Sequence, residues 1–137
     1  MRLIGKVRGM TVLELLIVLA VFALLLSWAV PTYQRYTLRA QRADAVRSLL
    51  AIAACQERLR ARAGYYDTTG CLDLPAGTHY RFRLAPPDQT ETLNFTALAE
   101  PLHPLAGDAC GTLSLDQAGT RAISGAAERL SDCWGGR

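Results

Sequence analysis

The sequence predicts an α+β fold in which one long N-terminal helix packs on a small antiparallel β-sheet. Three features predict it. The run from Met10 to Val30 is apolar apart from Thr11, Glu14 and Ser27; residues 32–63 contain neither glycine nor proline; and the remainder alternates apolar with polar residues between turns. A chain of 137 residues allows one domain and rules out the large α/β architectures, which need roughly 200 residues or more. At 50% hydrophobic residues and a mean hydropathy of +0.12 it is too apolar for a disordered chain. Its net charge of +3 is too small to indicate a nucleic-acid module by itself.

The first nine residues carry Arg2, Lys6 and Arg8 and no acid. The apolar run that follows, at about 1.5 Å per helical residue, is just long enough to cross a hydrocarbon core of roughly 30 Å. Three readings compete. In the first it is a secretory signal peptide cut after Ala29, with Ser27-Trp28-Ala29 as the small-x-small site. Glu14 opposes this, because a carboxylate in the run costs insertion energy that a signal peptide has no reason to accept. In the second it is a plain membrane anchor, whose orientation is hard to read because Arg35, Arg39 and Arg42 balance the leader's three positive charges.

The third reading rests on Gly9-Met10-Thr11-Val12-Leu13-Glu14, entered from a short basic leader and followed by an unbroken apolar helix. This segment resembles the processing site of type IV prepilins and their pseudopilin relatives. The resemblance implies cleavage after Gly9 by the prepilin peptidase, N-methylation of Met10 and retention of the apolar stretch. It places Glu14 at the fifth mature position, where the family has its characteristic glutamate, and Pro31 at mature position 31 − 9 = 22, a common pilin proline. Met10 departs mildly from the commoner phenylalanine. Physically, a new amine on Met10 at the edge of an apolar helix needs a carboxylate partner, and Glu14 of a neighbouring subunit provides one. Such a pair adds little net stability but penalises wrong registers. The local alternative is a capping box with Thr11 as N-cap and Glu14 three residues on, compatible with the first role.

Beyond Pro31, which removes one backbone hydrogen bond and is expected to kink the rod rather than end it, the helix continues to about Ala63. Leu38, Ala45, Leu49, Ile52 and Leu59 form an apolar stripe. Residues 35–62 hold seven Arg and two acids, 7 − 2 = +5, whereas residues 63–137 hold five Arg and nine acids, 5 − 9 = −4. A basic helix beside an acidic domain suggests complementarity between subunits; attraction to anionic headgroups is an equal reading. DNA is a weaker partner for these arginines, because no aromatic residue is interleaved after Tyr36. Gly64 ends the helix. Tyr80–Leu84, Leu93–Ala97 and Leu113–Leu115 alternate as strands, and about four strands in all are expected. Asn94-Phe95-Thr96 is formally a glycosylation acceptor, taken as chance within an expected strand.

Cys55, Cys71, Cys110 and Cys133 allow three pairings. No CxxC motif is present and His79 and His103 lack ligand spacing, so neither a metal nor a cofactor is expected. An exported domain of this size has reason to be stapled, and of the three pairings the sequential one, Cys55–Cys71 and Cys110–Cys133, is the expectation, tying the helix end to the following loop and the third strand to the C-terminal tail. The segments Asp108-Ala109-Cys110-Gly111-Thr112-Leu113 and Ser131-Asp132-Cys133-Trp134 resemble the end of PilE-type minor pilins, and Cys55-Gln56-Glu57-Arg58 before Gly64-Tyr65-Tyr66 is similar to that group. That resemblance implies a type IV pilin fold with an exposed loop between the last two cysteines.

The expected organisation is a leader (1–9), a transmembrane and polymerisation helix (10–30) and a periplasmic headgroup (31–137). The resemblance implies a minor pilin held in the inner membrane by a single pass and later part of a surface pilus. Its implied partners are other pilin subunits, the prepilin peptidase and the membrane, with roles in pilus assembly, twitching motility, adhesion and DNA uptake. No catalytic triad, paired carboxylates or phosphate loop appears, so no enzyme is expected. The alternatives are a type II secretion pseudopilin and a periplasmic binding module cut after Ala29.

Overall fold

The computed structural model describes residues 9–73, 79–103, 105–125 and 127–135, so the basic residues of the expected leader lie outside the described part. The chain divides into two compact units, residues 1–38 and 39–137, each taken here by itself. Helix α1, Val12–Ala63, contributes to both and contains Pro31 without a break in its helical assignment.

In the first unit the helix is apolar on every side and its side chains are exposed from Met10 through Tyr36. Pro31 offers no N–H to the carbonyl of Ser27. Nearby hydroxyls bond back to the helix instead: Ser27 Oγ donates to the Leu24 carbonyl at 2.7 Å and Thr32 Oγ1 to the Trp28 carbonyl at 2.9 Å.

In the second unit Ala45, Leu49, Ile52 and Gln56 form the buried stripe of α1 and pack on an antiparallel meander. Its strands are β1 (Tyr80–Ala85), β2 (Thr96–Pro101), β3 (Thr112–Asp116) and β4 (Arg121–Ser124), in the spatial order β1-β2-β3-β4. Period-two alternation decides the faces. Tyr80, Leu84, Ala97, Ala99, Leu113 and Leu115 are buried, whereas Arg81 and Arg83 are exposed. The register sets Leu84 opposite Ala97 and Ala99 opposite Leu113, so small and large side chains alternate across the buried face.

Two departures from the sequence pattern have clear causes. Strand β2 starts at Thr96 rather than Leu93, because Thr92 is engaged in an isolated bridge with Tyr66. Leu93 is consequently 83% exposed, while Phe95 packs edge-on against Tyr66 with ring centroids 4.9 Å apart. Asn94 therefore lies in an exposed loop and not in a strand. In the stripe, Leu38 and Leu59 are only half-buried and Gln56 takes a core position. The Gln56 amide donates to the Asp67 carbonyl at 2.5 Å and accepts from the Asp67 N–H at 3.1 Å, closing the loop after α1 onto the helix. An amide in the core is tolerated because both of its ends are bonded.

Candidate assembly site

The segment with a chemical role in view begins at Gly9. Residues Gly9–Thr11 precede the helix, and Thr11 Oγ1 accepts a hydrogen bond from the Glu14 N–H at 3.2 Å. Thr11 therefore acts as the N-cap of α1, which is half of a capping box. A helix start placed here keeps Glu14 in the first turn, where the helix dipole favours a negative charge. From Val12 to Val30 no other ionisable side chain is present, and Trp28 is 82% exposed where the apolar run gives way to Tyr33, Arg35 and Tyr36. An exposed apolar surface of this length is suited to lipid or to other apolar helices and not to water. This helix is the one long and apolar enough to cross a membrane among the described residues.

The headgroup is stapled by two disulfides. Cys55 is joined to Cys71 with Cα atoms 5.9 Å apart, and Cys110 to Cys133 at 5.5 Å, the sequential arrangement. The first ties the end of α1 to the following loop. The second is fully buried and draws the short helix α2, Leu130–Cys133, against the segment before β3. Trp134 lies beside it, buried, with Nε1 donating to the Ala122 carbonyl at 3.2 Å and the Arg121 guanidinium 5.4 Å from its ring. Gly111, between Cys110 and β3, has φ +57°, and a Cβ there would sit 2.2 Å from the Ser124 carbonyl oxygen. Only glycine permits that approach.

A third tie was not legible in the sequence. Arg42 grips Asp108 at two points along one guanidinium edge, its Nε donating to Oδ2 at 2.8 Å and its Nη2 to Oδ1, with the Arg42 side chain 15% and the Asp108 side chain 2% exposed. Bonding to Asp108 holds the Arg42 guanidinium protonated more firmly than usual. The Tyr80 hydroxyl lies buried beside this pair without a hydrogen bond of good geometry. Burial, and then the negative charge of Asp108, push its pKa up to about 12. Arg42 and Asp108 are 66 positions apart, and nothing in either local pattern marks them as partners. At the β3–β4 turn the Thr120 and Ala118 N–H groups donate to Asp116 and hold its carboxyl below the usual range.

Comparison with known proteins connects these features. The family described as type IV minor pilin ComP, DNA uptake sequence receptor, matches residues 31–114, more than half of the chain. The chain belongs to this family. A prokaryotic N-terminal methylation motif matches residues 4–30 of this minor pilin. A type IV pilin from Shewanella oneidensis is 30% identical over 66% of this chain and 97% of its own, with a TM-score of 0.53. The Neisseria meningitidis non-core minor pilin PilV shares the fold at 24% identity, covering 69% of this chain and 94% of its own, with a TM-score of 0.52. No match was found among curated protein sequences. The fold is thus that of type IV pilins, a structural class, and the protein is a component of a type IV pilus. The methylation motif and the apolar helix fit anchoring in the inner membrane before assembly into the surface fibre.

Proposed function

We propose that this minor pilin is cleaved after Gly9, N-methylated at Met10, held in the inner membrane by residues 10–30 and drawn from there into the fibre, with residues 31–137 as its periplasmic headgroup. The supporting observation is a single carboxylate, Glu14, in an exposed apolar surface otherwise free of charge, five residues beyond Gly9. Removal of the leader creates an ammonium on Met10 at the head of this surface. In low dielectric that ammonium needs a counter-charge, and Glu14 of an adjacent subunit supplies it. A subunit out of register leaves both charges unpaired in an apolar layer, so Glu14 selects the axial position while the apolar contacts supply the attraction. The protein itself catalyses no step on this reading; the peptidase, the methyl transfer and the assembly machinery act upon it.

Intact mass of the protein recovered from membranes tests the processing. A chain of residues 10–137 with one added methyl group and four oxidised cysteines is expected. A chain beginning at Val30 makes the apolar run a signal peptide and ends the proposal.

A second reading takes duplex DNA as a ligand, as the family's description suggests, favoured by the exposed Arg81 and Arg83 on the outer face of β1. Its range is restricted, because Glu100 pairs with Arg83 at 3.0 Å. DNA binding by the full chain in detergent that weakens steeply with salt and with Arg81→Ala supports it; salt-insensitive or absent binding rejects it.

A further inference from the structure

The larger cleft of the headgroup has walls of opposite charge. It measures about 800 Å³ and lies between α1 and the C-terminal segment, a volume in the usual range for small-molecule sites. Every basic residue on it comes from α1, namely Arg39, Arg42 and Arg47, and both acidic ones, Glu128 and Asp132, come from the segment that leads to Cys133. Arg42 is already taken by Asp108. The remaining balance is 2 − 2 = 0, with one sign on each wall and a floor made by Ala43, Val46 and Trp134.

The two walls do not neutralise one another. Neither Arg39 nor Glu128 forms an ion pair among the described residues, and Arg47 and Asp132 pair only within their own segments, with Asp44 at 2.7 Å and with Arg129 at 3.3 Å. Exposed pairs of this kind contribute little and exchange readily. Arg39, Ala43 and Arg47 follow one another in four-residue steps of α1, so two long cationic side chains rooted about 12 Å apart along the axis flank one small side chain. They can converge on a single anion above Ala43. The wall that carries the carboxylates is fixed, because the Glu128 N–H donates to the Ala109 carbonyl at 3.2 Å, Cys133 is bonded to Cys110, and Trp134 Nε1 donates to the Ala122 carbonyl. Little further ordering opposes binding there.

We propose that this cleft is a binding site for a phosphoethanolamine group, with the phosphate between Arg39 and Arg47 and the ammonium on Glu128 and Asp132. A neutral dipolar ligand satisfies both walls at once; a pure anion leaves the carboxylates facing it, and a pure cation leaves the guanidiniums. Guanidinium forks favour phosphate at the anionic end. Carboxylates accept hydrogen bonds, so they favour a primary ammonium, which donates them, over a quaternary one, which does not. The hydrocarbon side of the ester lies on Ala43 and Val46. The group has two sources, phosphatidylethanolamine of the membrane that anchors α1 and a soluble ester, and the chemistry of the cleft is the same for both. This preference reverses the simplest expectation from the seven arginines of residues 35–62, which is attraction to anionic headgroups.

The test uses the full chain in a neutral detergent and in a Trp28→Phe background, which leaves Trp134 on the cleft floor as the only tryptophan reporter. Dihexanoyl phosphatidylethanolamine is titrated beside the phosphatidylglycerol and phosphatidylcholine of the same chain length, with glycerophosphoethanolamine as the chain-free arm. A saturable change in Trp134 emission is expected, half-complete with the ethanolamine lipid at a concentration at least about tenfold below that of either other lipid. Arg39→Gln is expected to raise that concentration about fivefold or more. Glu128→Gln is expected to raise it too and to bring phosphatidylglycerol within about threefold of phosphatidylethanolamine, a change of preference that mere loosening of the fold does not produce. Equal half-saturation by glycerophosphoethanolamine assigns the site to a soluble ester and weaker binding of it to the membrane lipid, and either result upholds the site. No saturable change, phosphatidylglycerol binding as tightly as phosphatidylethanolamine to the unsubstituted cleft, or unaltered binding by both variants overturns the proposal.

Discussion

Replacing Arg42 by methionine removes the guanidinium and keeps most of the stem, leaving the Asp108 carboxylate, 2% exposed, without its partner. Breaking a buried pair from one side costs about 3–5 kcal/mol. One feature places this case at the lower end: the Arg42 side chain is 15% exposed, so water reaches the vacated side. A loss of about 3 kcal/mol is expected at pH 7. For a headgroup of roughly 100 residues, with an unfolding entropy near 0.2 kcal/mol/K, that lowers the Tm by about 15 °C.

The converse variant, Asp108→Asn, leaves the partly exposed guanidinium unpaired and is expected to cost only about 1–2 kcal/mol. The assay is thermal unfolding of the full chain in detergent, followed by fluorescence of Trp134 in a Trp28→Phe background, which leaves one tryptophan. A loss below 1 kcal/mol refutes the argument that Asp108 is a buried charge held by Arg42.

Tyr80→Phe removes a buried hydroxyl that makes no hydrogen bond of good geometry among the described residues, so at pH 7 stability is expected to hold or rise by up to about 1 kcal/mol in the same melt. Because the Tyr80 pKa is raised to about 12, the wild-type headgroup is expected to lose stability between pH 10 and 12, a slope the phenylalanine variant flattens; an unchanged slope would discount burial as its origin. Gly111→Ala drives a Cβ into the Ser124 carbonyl at positive φ, and a loss of about 2–4 kcal/mol by denaturant titration is expected, with a smaller loss pointing to a backbone that yields easily. Opening Cys110–Cys133 by paired serine substitution is expected to cost about 3 kcal/mol under the chain-entropy relation for a separation of 23; reduction that leaves the Tm unchanged contradicts it. Glu14→Ala is expected to preserve membrane insertion, scored by carbonate extraction, and to reduce recovery in sheared fibres; normal recovery leaves Glu14 only its place in the local cap.

What was legible in the sequence and what was not divides along the range of the interactions. The apolar run, the cap at Thr11 and the strands at Tyr80 and Leu113 depend on neighbours one to four positions away, and a periodic pattern records them directly. The start of β2 misled because Leu93, Phe95 and Ala97 alternate correctly while the Tyr66–Thr92 bridge, formed across 26 positions, delays the strand until Thr96. Gln56 misled for a related reason: its polarity argues for the surface until both Asp67 backbone groups are known to meet it. Arg42 read as one of seven basic side chains on a helix, and only the fold reveals that one of the seven is occupied internally by Asp108.

That occupancy divides the basic helix by task. Arg42 faces inward and binds the loop that precedes Cys110, so its charge is neutralised before any partner arrives. Arg39 lies three positions earlier and Arg62 twenty later, both exposed, and their charges remain available to another molecule. The local excess of +5 therefore overstates the field a neighbour meets, because Arg42 is already neutralised by Asp108. Substitution of Arg42 is accordingly expected to be read first in stability, and substitution of Arg39 first in ligand binding. A single basic patch acting as an undivided surface would give both variants the same phenotype.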